Sequence, residues 1–273
     1  QGPPVNLSVS DLLLYLRCPY AAHAAWSHGV AAPTPAMRRG TAIHKALEHH
    51  LKGQPIPASL SESVADADRK FTEAAIFRLA DWKPPFTVDA VEHPLTYHYD
   101  DTKEGPGLDF HIVGRLDALV TDSAGRWSFQ LKTLGKGKNL GLTMEKVRMS
   151  PHEITYHWLA QQAGISLRGT KLLLLKDLTI AEKAAGTDML TLVDLPRTDA
   201  EVSAAFDQDI MPRFMDLAEM LNDRPWSRNW TSCYGDFGNS PCTYYEHCHN
   251  GLPLAILPLT PKEDRYADLS TEA

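Results

Sequence analysis

The sequence predicts a mixed α/β protein in which a central mixed β-sheet is flanked by helices. Apolar residues recur with helical spacing up to about residue 82 and then alternate with polar residues between residues 88 and 132. The run TKLLLLK at residues 170–176 is almost continuously apolar, which is typical of a strand buried at the centre of a sheet. These observations separate an N-terminal helical region from a sheet-forming core.

Three helices are predicted before the first strand. The first covers about residues 11–27, and the second covers residues 38–51 and ends before Gly53. The third covers about residues 61–82, because Pro84 begins a proline pair that cannot continue a helix.

Strands are predicted next, at residues 88–99, 108–121 and 126–132, where apolar and polar residues alternate between turns that contain Asp or Gly. Such strands form an antiparallel meander. Residues 133–149 are expected to be a flexible, basic stretch.

The remainder of the core alternates between helix and strand. A helix is predicted at residues 150–163, the buried strand at 170–176 and an edge strand at 189–195. A long helix should then cover residues 198–221 and be kinked at Pro212.

These elements indicate one integrated domain with four regions. The first three residues resemble the remnant of a cleavable tag, and we assign them no structure. The regions are a helical part with the first cysteine (4–87), the core (88–196), a C-terminal helix with the other cysteines (197–260) and a tail (261–273).

Composition narrows the class of protein. With 273 residues, 43% of them hydrophobic, the chain can bury a large core. It has no apolar run long enough to span a membrane and no signal-peptide pattern, so we expect no membrane association and a cytoplasmic location. The net charge of −7 argues against a uniformly basic surface that coats nucleic acid, although a local basic channel stays compatible with it.

The four cysteines indicate a metal or cluster site rather than disulfides. Cys233, Cys242 and Cys248 lie within sixteen residues, and Cys18 is far away in the sequence. Their spacings lack the paired C-x2-C knuckles that are usual for zinc. A fourth thiolate from Cys18 would complete the set of four that a [4Fe–4S] cluster requires.

The stretch RWSFQLKT contains the candidate catalytic residues. Gln130 and Lys132 lie two apart on a strand and therefore on one face, and a hairpin would bring them beside Asp117. Oxygen ligands for Mg²⁺ or Mn²⁺ and a cation that orients water are the parts that phosphodiester hydrolysis needs. The triplet by itself also fits a strand end and an edge charge.

Other side chains could complete such a site. His44 lies on an amphipathic helix and could bind metal, whereas His152 and Tyr156 lie four apart on one helical face and could contact a phosphate. The basic residues that could also contact phosphate groups are Lys136, Lys138, Lys146, Arg148, Arg38 and Arg39.

These residues resemble the RecB-like branch of the PD-(D/E)XK nucleases, specifically its iron–sulfur members, the AddB-type nuclease domain and the CRISPR-adaptation exonucleases. The resemblance covers nearly the whole chain. The matching motifs are SVSDLLLYLRCPY around Cys18, Gly40-x-x-x-His44, Gly114-x-x-Asp117, Gln130-x-Lys132-Thr133 and SCYGDFGNSPCTYYEHC.

The resemblance implies a restriction-endonuclease-like core whose N-terminal helices and C-terminal tail are joined by a [4Fe–4S] cluster. It also implies a metal-dependent DNA exonuclease, acting on single-stranded ends in recombination, repair or DNA processing, in a bacterial cell or a phage-infected host. Recombination or replication proteins are possible partners. The implied residues are Cys18, Cys233, Cys242 and Cys248 for the cluster, His44, Asp117, Gln130 and the Leu131 carbonyl for Mg²⁺ or Mn²⁺, Lys132 for water, and His152, Tyr156, Lys136, Lys138 and Arg148 for DNA.

Two positions depart from the family pattern. Gln130 stands where the second acid is expected, and His152 stands at the start of the Gln-x-x-x-Tyr motif. An amide oxygen can bind a hard cation but brings no charge, so a metal should bind more weakly. The sequence leaves open whether Gln130 is a natural neutral ligand or an engineered exchange. It also leaves open two other functions, a DNA-binding module that has lost catalysis and a zinc or redox protein unrelated to DNA.

Overall fold

The computed structural model describes most of the chain, in two compact units. The described residues are 4–28, 30–31, 33–102, 107–223, 229, 244, 248 and 259–260. The first unit takes its described residues from 1–32, 96–114 and 207–273, and the second unit consists of residues 33–95 and 115–206. Within the described residues, no helix is both long and apolar enough to cross a bilayer.

Ten α-helices and eight strands lie within the described residues. The helices are α1 (Val9–Arg17), α2 (Pro19–His28), α3 (Pro35–Leu51), α4 (Ser59–Glu62), α5 (Asp66–Asp81), α6 (Leu140–Arg148), α7 (Pro151–Gln162), α8 (Ile180–Ala184), α9 (Asp199–Ala205) and α10 (Met211–Asp223). The strands are β1 (Val5–Ser8), β2 (Val30–Ala31), β3 (Thr87–Asp100), β4 (Asp109–Asp122), β5 (Gly125–Leu134), β6 (Gly169–Lys176), β7 (Leu190–Pro196) and β8 (Leu259–Thr260).

The second unit contains a mixed sheet, as predicted. The end of β4 pairs antiparallel with β5, starting from a tight turn that Gly125 closes at φ +128°. Strand β5 pairs parallel with β6, and β6 pairs antiparallel with β7. The apolar run of β6 therefore lies inside the sheet and β7 lies at its edge, which confirms both predictions.

The two faces of β5 meet different helices. Trp127, Phe129 and Leu131 are buried in a core cluster with residues of α3 and α5 such as Ile43 and Leu79. Burying each such side chain contributes roughly 1.5–3 kcal/mol. The alternate residues of β5 point to the opposite face of the sheet, where the polar candidates of the sequence motif lie.

The parallel pairing of β5 with β6 explains one wrong expectation. Residues 133–149 were expected to be flexible, but they contain α6, which begins after Asn139, whose side chain accepts a hydrogen bond from the Leu142 amide. Parallel neighbours need a crossover connection, and here α6 and α7 form it. Val147 of α6 is buried in a small apolar cluster with Leu134.

The first unit contains a second correction. The single helix expected at residues 11–27 is two helices, because Cys18 is extended at φ −160° and ψ 107°. Proline disfavours a helical conformation in the preceding residue, and Pro19 then starts α2. Helix α1 itself begins with a capping box in which Ser8 and Asp11 bond each other's backbone amides.

Two further helices are interrupted. The helix expected at residues 61–82 is divided into α4 and α5, because Ala65 leaves the helical region at ψ 145°. Just before Pro212, the long helix expected at residues 198–221 contains a π-helical segment, Phe206–Ile210, that separates α9 from α10. Proline removes a backbone donor and clashes with the preceding turn, which such a segment accommodates.

A buried lysine on β6 joins the turn of the β4–β5 hairpin to the edge strand β7 through two ion pairs. The Lys171 side chain is 4% exposed and its ammonium lies 2.7 Å from Asp122 and 2.8 Å from Asp194. It also lies 4.6 Å from the centre of the Trp127 ring. The hydrogen bond from Lys171 is the main reason that the pKa of Asp122 is lowered to about 2.

We predict that Lys171→Met lowers the free energy of unfolding by about 1–2 kcal/mol, because it removes the ammonium group that two partly exposed carboxylates share. Urea denaturation at neutral pH measures this. Lys52→Met, which removes an exposed ion pair with Glu48, is the control and should cost less than about 1 kcal/mol. Equal losses in the two variants would contradict the assignment.

The interaction of Lys171 with Asp122 should also make the stability of the protein depend on pH in the acid range. A lowered pKa means that Asp122 contributes stability at a pH above its ordinary value of 3.8, and that this stability is lost as the pH falls towards about 2. Thermal unfolding between pH 5 and 2 should therefore show a smaller acid-dependent decrease for Lys171→Met than for the wild type. Parallel curves would contradict this.

Candidate functional site

The Asp117 carboxylate is the centre of the candidate site. Its Oδ2 accepts a 2.8 Å hydrogen bond from the backbone amide of Leu131 on the neighbouring strand β5. His44 on α3 places its Nδ1 3.3 Å from the same oxygen. The structure therefore brings together His44 and Asp117, which lie 73 positions apart in the sequence.

The surroundings favour protonation of His44. Burial opposes the charged imidazole, but the hydrogen bond and negative charge of Asp117 outweigh burial and raise the pKa of His44 above its ordinary value. The positive charge of Lys132 has a lowering effect on the pKa of His44, so the Lys132 ammonium lies close to the imidazole. His44 and Asp117 therefore form an ion pair in the metal-free protein at mildly acidic pH.

Glu92 on β3 lies near Asp117, and it was not identified as a site residue from the sequence. Burial, followed by the charges of Asp117 and Glu48, raises the pKa of its carboxyl group. Its backbone has φ +53°, which is unusual for any residue except glycine and costs on the order of 1 kcal/mol. No motif marks this residue, because neither its backbone conformation nor its distance from Asp117 can be read from an alternating strand pattern.

Gln130 and Lys132 lie on the face of β5 that α7 covers. Gln130 is 3% exposed, and its Nε2 has no hydrogen-bond partner among the described residues. Lys132 is half-buried, and its charge influences His44, His152 and Glu153. The catalytic candidates of β5 thus lie on the face of the sheet opposite to the core that α3 and α5 form.

Helix α7 brings His152 and Tyr156 to this region on successive turns. Their rings are 5.9 Å apart in an edge-to-face arrangement. Burial, together with the nearby charge of Lys132, lowers the pKa of His152 to about 4. His152 is therefore neutral at neutral pH and can offer a hydrogen bond to a phosphate group but no positive charge.

A buried polar network, which sequence reasoning also missed, lies beneath the site. Thr170 on β6 donates to Glu153 Oε2 at 3.0 Å and lies 3.1 Å from His157 Nε2. Ser128 on β5 lies 3.1 Å from the same His157 nitrogen. Glu153 is 1% exposed, and its Oε1 has no partner among the described residues. A charged residue inside an apolar helix face is the signal that could have identified Glu153.

The predicted DNA-contacting cations lie on the surface. Lys136 and Lys138 are exposed in the turn after β5, and Lys136 Nζ is 4.0 Å from Asp177 Oδ2. Arg148 is exposed at the end of α6. A cleft of about 480 Å³ borders His44 and Glu92, and Arg38 and Lys45 line it as well.

The donor set of the site suits a hard or borderline divalent cation. His44, Asp117, the Gln130 amide oxygen and the Leu131 carbonyl supply nitrogen and oxygen ligands of the kind that Mn²⁺ and Mg²⁺ bind. Among the residues that the structure describes, no group of three or more His, Cys, Asp or Glu side chains could hold a metal ion. A cation at Asp117 would therefore require the neutral Gln130 or the backbone.

Only half of the predicted cysteine ligands can be located. Cys18 and Cys248 are both buried in the first unit, whereas Cys233 and Cys242 lie outside the described residues. Cys18 belongs to an apolar cluster that also contains Tyr244. The Cys248 amide donates to the Tyr244 carbonyl at 2.8 Å. The N-terminal cysteine and the C-terminal region therefore contact the same cluster.

Comparisons with known proteins agree with this geometry. The family model described as PD-(D/E)XK nuclease superfamily matches residues 6–249. A crystal structure from Eubacterium rectale, described as "Putative exonuclease", has a similar fold with a TM-score of 0.51 and 11% sequence identity, over 82% of this chain and 84% of that one. No curated protein matches the sequence. Since the family match spans the site residues and most of the chain, this protein belongs to the PD-(D/E)XK nuclease superfamily.

Proposed function

We propose that the chain is a metal-dependent deoxyribonuclease that removes nucleotides from single-stranded DNA ends. The observation that supports this proposal is the pairing of Asp117 with both His44 and the Leu131 amide, one strand position away from Lys132. The superfamily consists of nucleases, and the similar Eubacterium rectale structure is described as a "Putative exonuclease".

Each of the candidate residues has a different role in the proposed hydrolysis. Mg²⁺ or Mn²⁺, when bound, would activate water and stabilise the charge that develops on the phosphate. The Leu131 amide holds Asp117 in place, and His44, Asp117, Gln130 Oε1 and the Leu131 carbonyl would be the ligands. Lys132 would orient the attacking water or neutralise a non-bridging phosphate oxygen through its ammonium group.

The finer subtype is also part of the proposal. The motifs around Cys18 and in SCYGDFGNSPCTYYEHC support an AddB-type or CRISPR-adaptation exonuclease with a [4Fe–4S] cluster held by Cys18, Cys233, Cys242 and Cys248. The burial of Cys18 and Cys248 is compatible with a structural cluster that connects distant parts of the chain. Lys136, Lys138, Arg148, His152 and Tyr156 would contact the DNA backbone. Recombination, repair or DNA processing is the setting that this chemistry fits.

A second candidate function is a DNA-binding module of nuclease fold without catalysis. The neutral Gln130 and the lack of a third acidic or histidine ligand around Asp117 among the described residues favour it. Such a module would bind single-stranded DNA but leave end-labelled strands intact in Mn²⁺. Cleavage that requires Mn²⁺ would exclude it.

We predict that Asp117→Asn and Lys132→Ala each lower the rate of Mn²⁺-dependent cleavage of end-labelled single-stranded DNA by at least about 100-fold. The first removes the only charged oxygen ligand assigned to the site, and the second removes the cation. DNA binding should change far less.

The matched control is Lys183→Ala, which removes an exposed lysine of α8 and should leave the rate unchanged. Activity that persists in a chelator, or in both site variants, would contradict the proposed mechanism.

We predict that protein purified without oxygen is brown, contains about four iron atoms per chain and absorbs broadly near 400 nm. Cys18→Ala should remove the iron and lower the thermal midpoint, because the cluster would close a long chain loop. Zinc without iron in the purified protein would contradict the cluster.

A further inference from the structure

Two buried side chains near the site leave complementary atoms without partners. Gln130 is 3% exposed, and its Nε2, a donor, has no hydrogen-bond partner among the described residues. Glu153 is 1% exposed, and its Oε1, an acceptor, has none either. Leaving a buried polar group unpaired destabilises the folded state, so two such groups of opposite hydrogen-bonding character call for an explanation.

Both side chains occupy the layer between β5 and α7. Ser128 and Gln130 point to the same face of β5, and Ser128 contacts His157 of α7. Glu153 lies one turn before His157 and accepts a hydrogen bond from Thr170, which is paired with Ser128 across the sheet. Glu153 therefore covers the face of β5 that carries Gln130.

The Glu153 carboxyl group also lies close to the candidate site, and burial raises its pKa. After burial, the charge of Lys132 is the largest influence on the Glu153 carboxyl group, and Asp117 acts on it as well. The carboxylate is thus near both catalytic candidates, although α7 shields it from solvent. Thr170 occupies only Oε2, which leaves Oε1 for another donor.

We propose that Glu153 is a positioning residue of the candidate metal site. The two atoms are not bonded to each other in the structure. A rotation of the Gln130 amide that satisfies both atoms lets Glu153 Oε1 accept a hydrogen bond from Gln130 Nε2 and turns Gln130 Oε1 towards Asp117, where that oxygen serves as a neutral ligand. This inference rests on the proposed function, since it assumes that a divalent cation binds at Asp117.

The arrangement accounts for an amide at a position where the family has an acid. An amide offers a donor on one side and an acceptor on the other, whereas a carboxylate offers only acceptors. A glutamate at position 130 would place two negatively charged acceptors against each other in a buried layer. In the proposed arrangement, Glu153 supplies the hydrogen-bond acceptor for the Gln130 amide, and Gln130 supplies the oxygen for the cation.

Glu153 could instead be only a structural partner of Thr170. The two roles differ in what they predict for Glu153→Gln. A structural role predicts a change in stability and none in the affinity for metal. Under the positioning role, the new amide at position 153 donates to the oxygen of Gln130, so that Gln130 presents its amino group to the cation.

The test is a double-mutant cycle of the full chain with Gln130→Glu, Glu153→Gln and both changes together. Mn²⁺ affinity is measured by electron paramagnetic resonance, and the thermal midpoint is measured in a chelator. We expect each single variant to bind Mn²⁺ about 10-fold more weakly than the wild type. Gln130→Glu alone should also lower the midpoint, by on the order of 5 °C.

The double variant should restore both properties. In it, the amide introduced at position 153 can donate to the carboxylate introduced at position 130, and the other oxygen of that carboxylate is available to the cation. Restoration to within about threefold of wild-type affinity supports a direct pair, since independent positions would give additive losses. Gln162→Glu adds the same charge at an exposed position of α7 and should change neither quantity.

Three results would overturn the inference: additive losses in the double variant, Mn²⁺ affinity unchanged in Glu153→Gln, or tighter Mn²⁺ binding by Gln130→Glu with an unchanged midpoint. If the wild type bound no Mn²⁺, the proposed metal site would fail. The midpoints in chelator would then still decide whether residues 130 and 153 are paired.

Discussion

The candidate site depends on the hydrogen bond that the Leu131 amide donates to the Asp117 carboxylate. This bond exists only because β4 and β5 pair with Ala118 opposite Phe129. A slip of one residue would turn Gln130 and Lys132 to the face where Phe129 and Leu131 are now buried. The apolar core between the sheet and helices α3 and α5 therefore fixes the register, and the register fixes the site.

Charge around Asp117 is balanced by groups from several elements. His44 and Lys132 contribute positive charge, while Glu92 and Glu153 contribute acidic groups whose pKa values burial raises. Burial and neighbouring charges shift the pKa values of His44, Glu92 and Glu153 away from those of an isolated peptide. A neutral amide at position 130 avoids adding another charge where carboxyl groups are already close.

Much of the core was predictable because its signals are local. Strand alternation located β4 and β5, and the apolar run located β6 inside the sheet. One error reflects a longer-range requirement, and the other reflects a local proline effect that the prediction overlooked. Helix α6 forms because parallel strands need a crossover, and the first predicted helix is broken at Cys18 next to a proline. Composition in those windows is equally compatible with a basic loop or with one continuous helix.

The sequence by itself determined the order of the elements, the motif residues His44, Asp117, Gln130 and Lys132, and the departure from an acid at position 130. The elements follow from periodicity, which is a property of neighbouring residues along the chain, whereas the motif residues and the missing acid follow from the resemblance to a nuclease family. Only the tertiary structure decided that Glu92 and Glu153 approach the same site, and that Gln130 and Glu153 have complementary unpaired atoms. Strand register and helix packing create such proximity, because they bring together residues that have no relation in sequence.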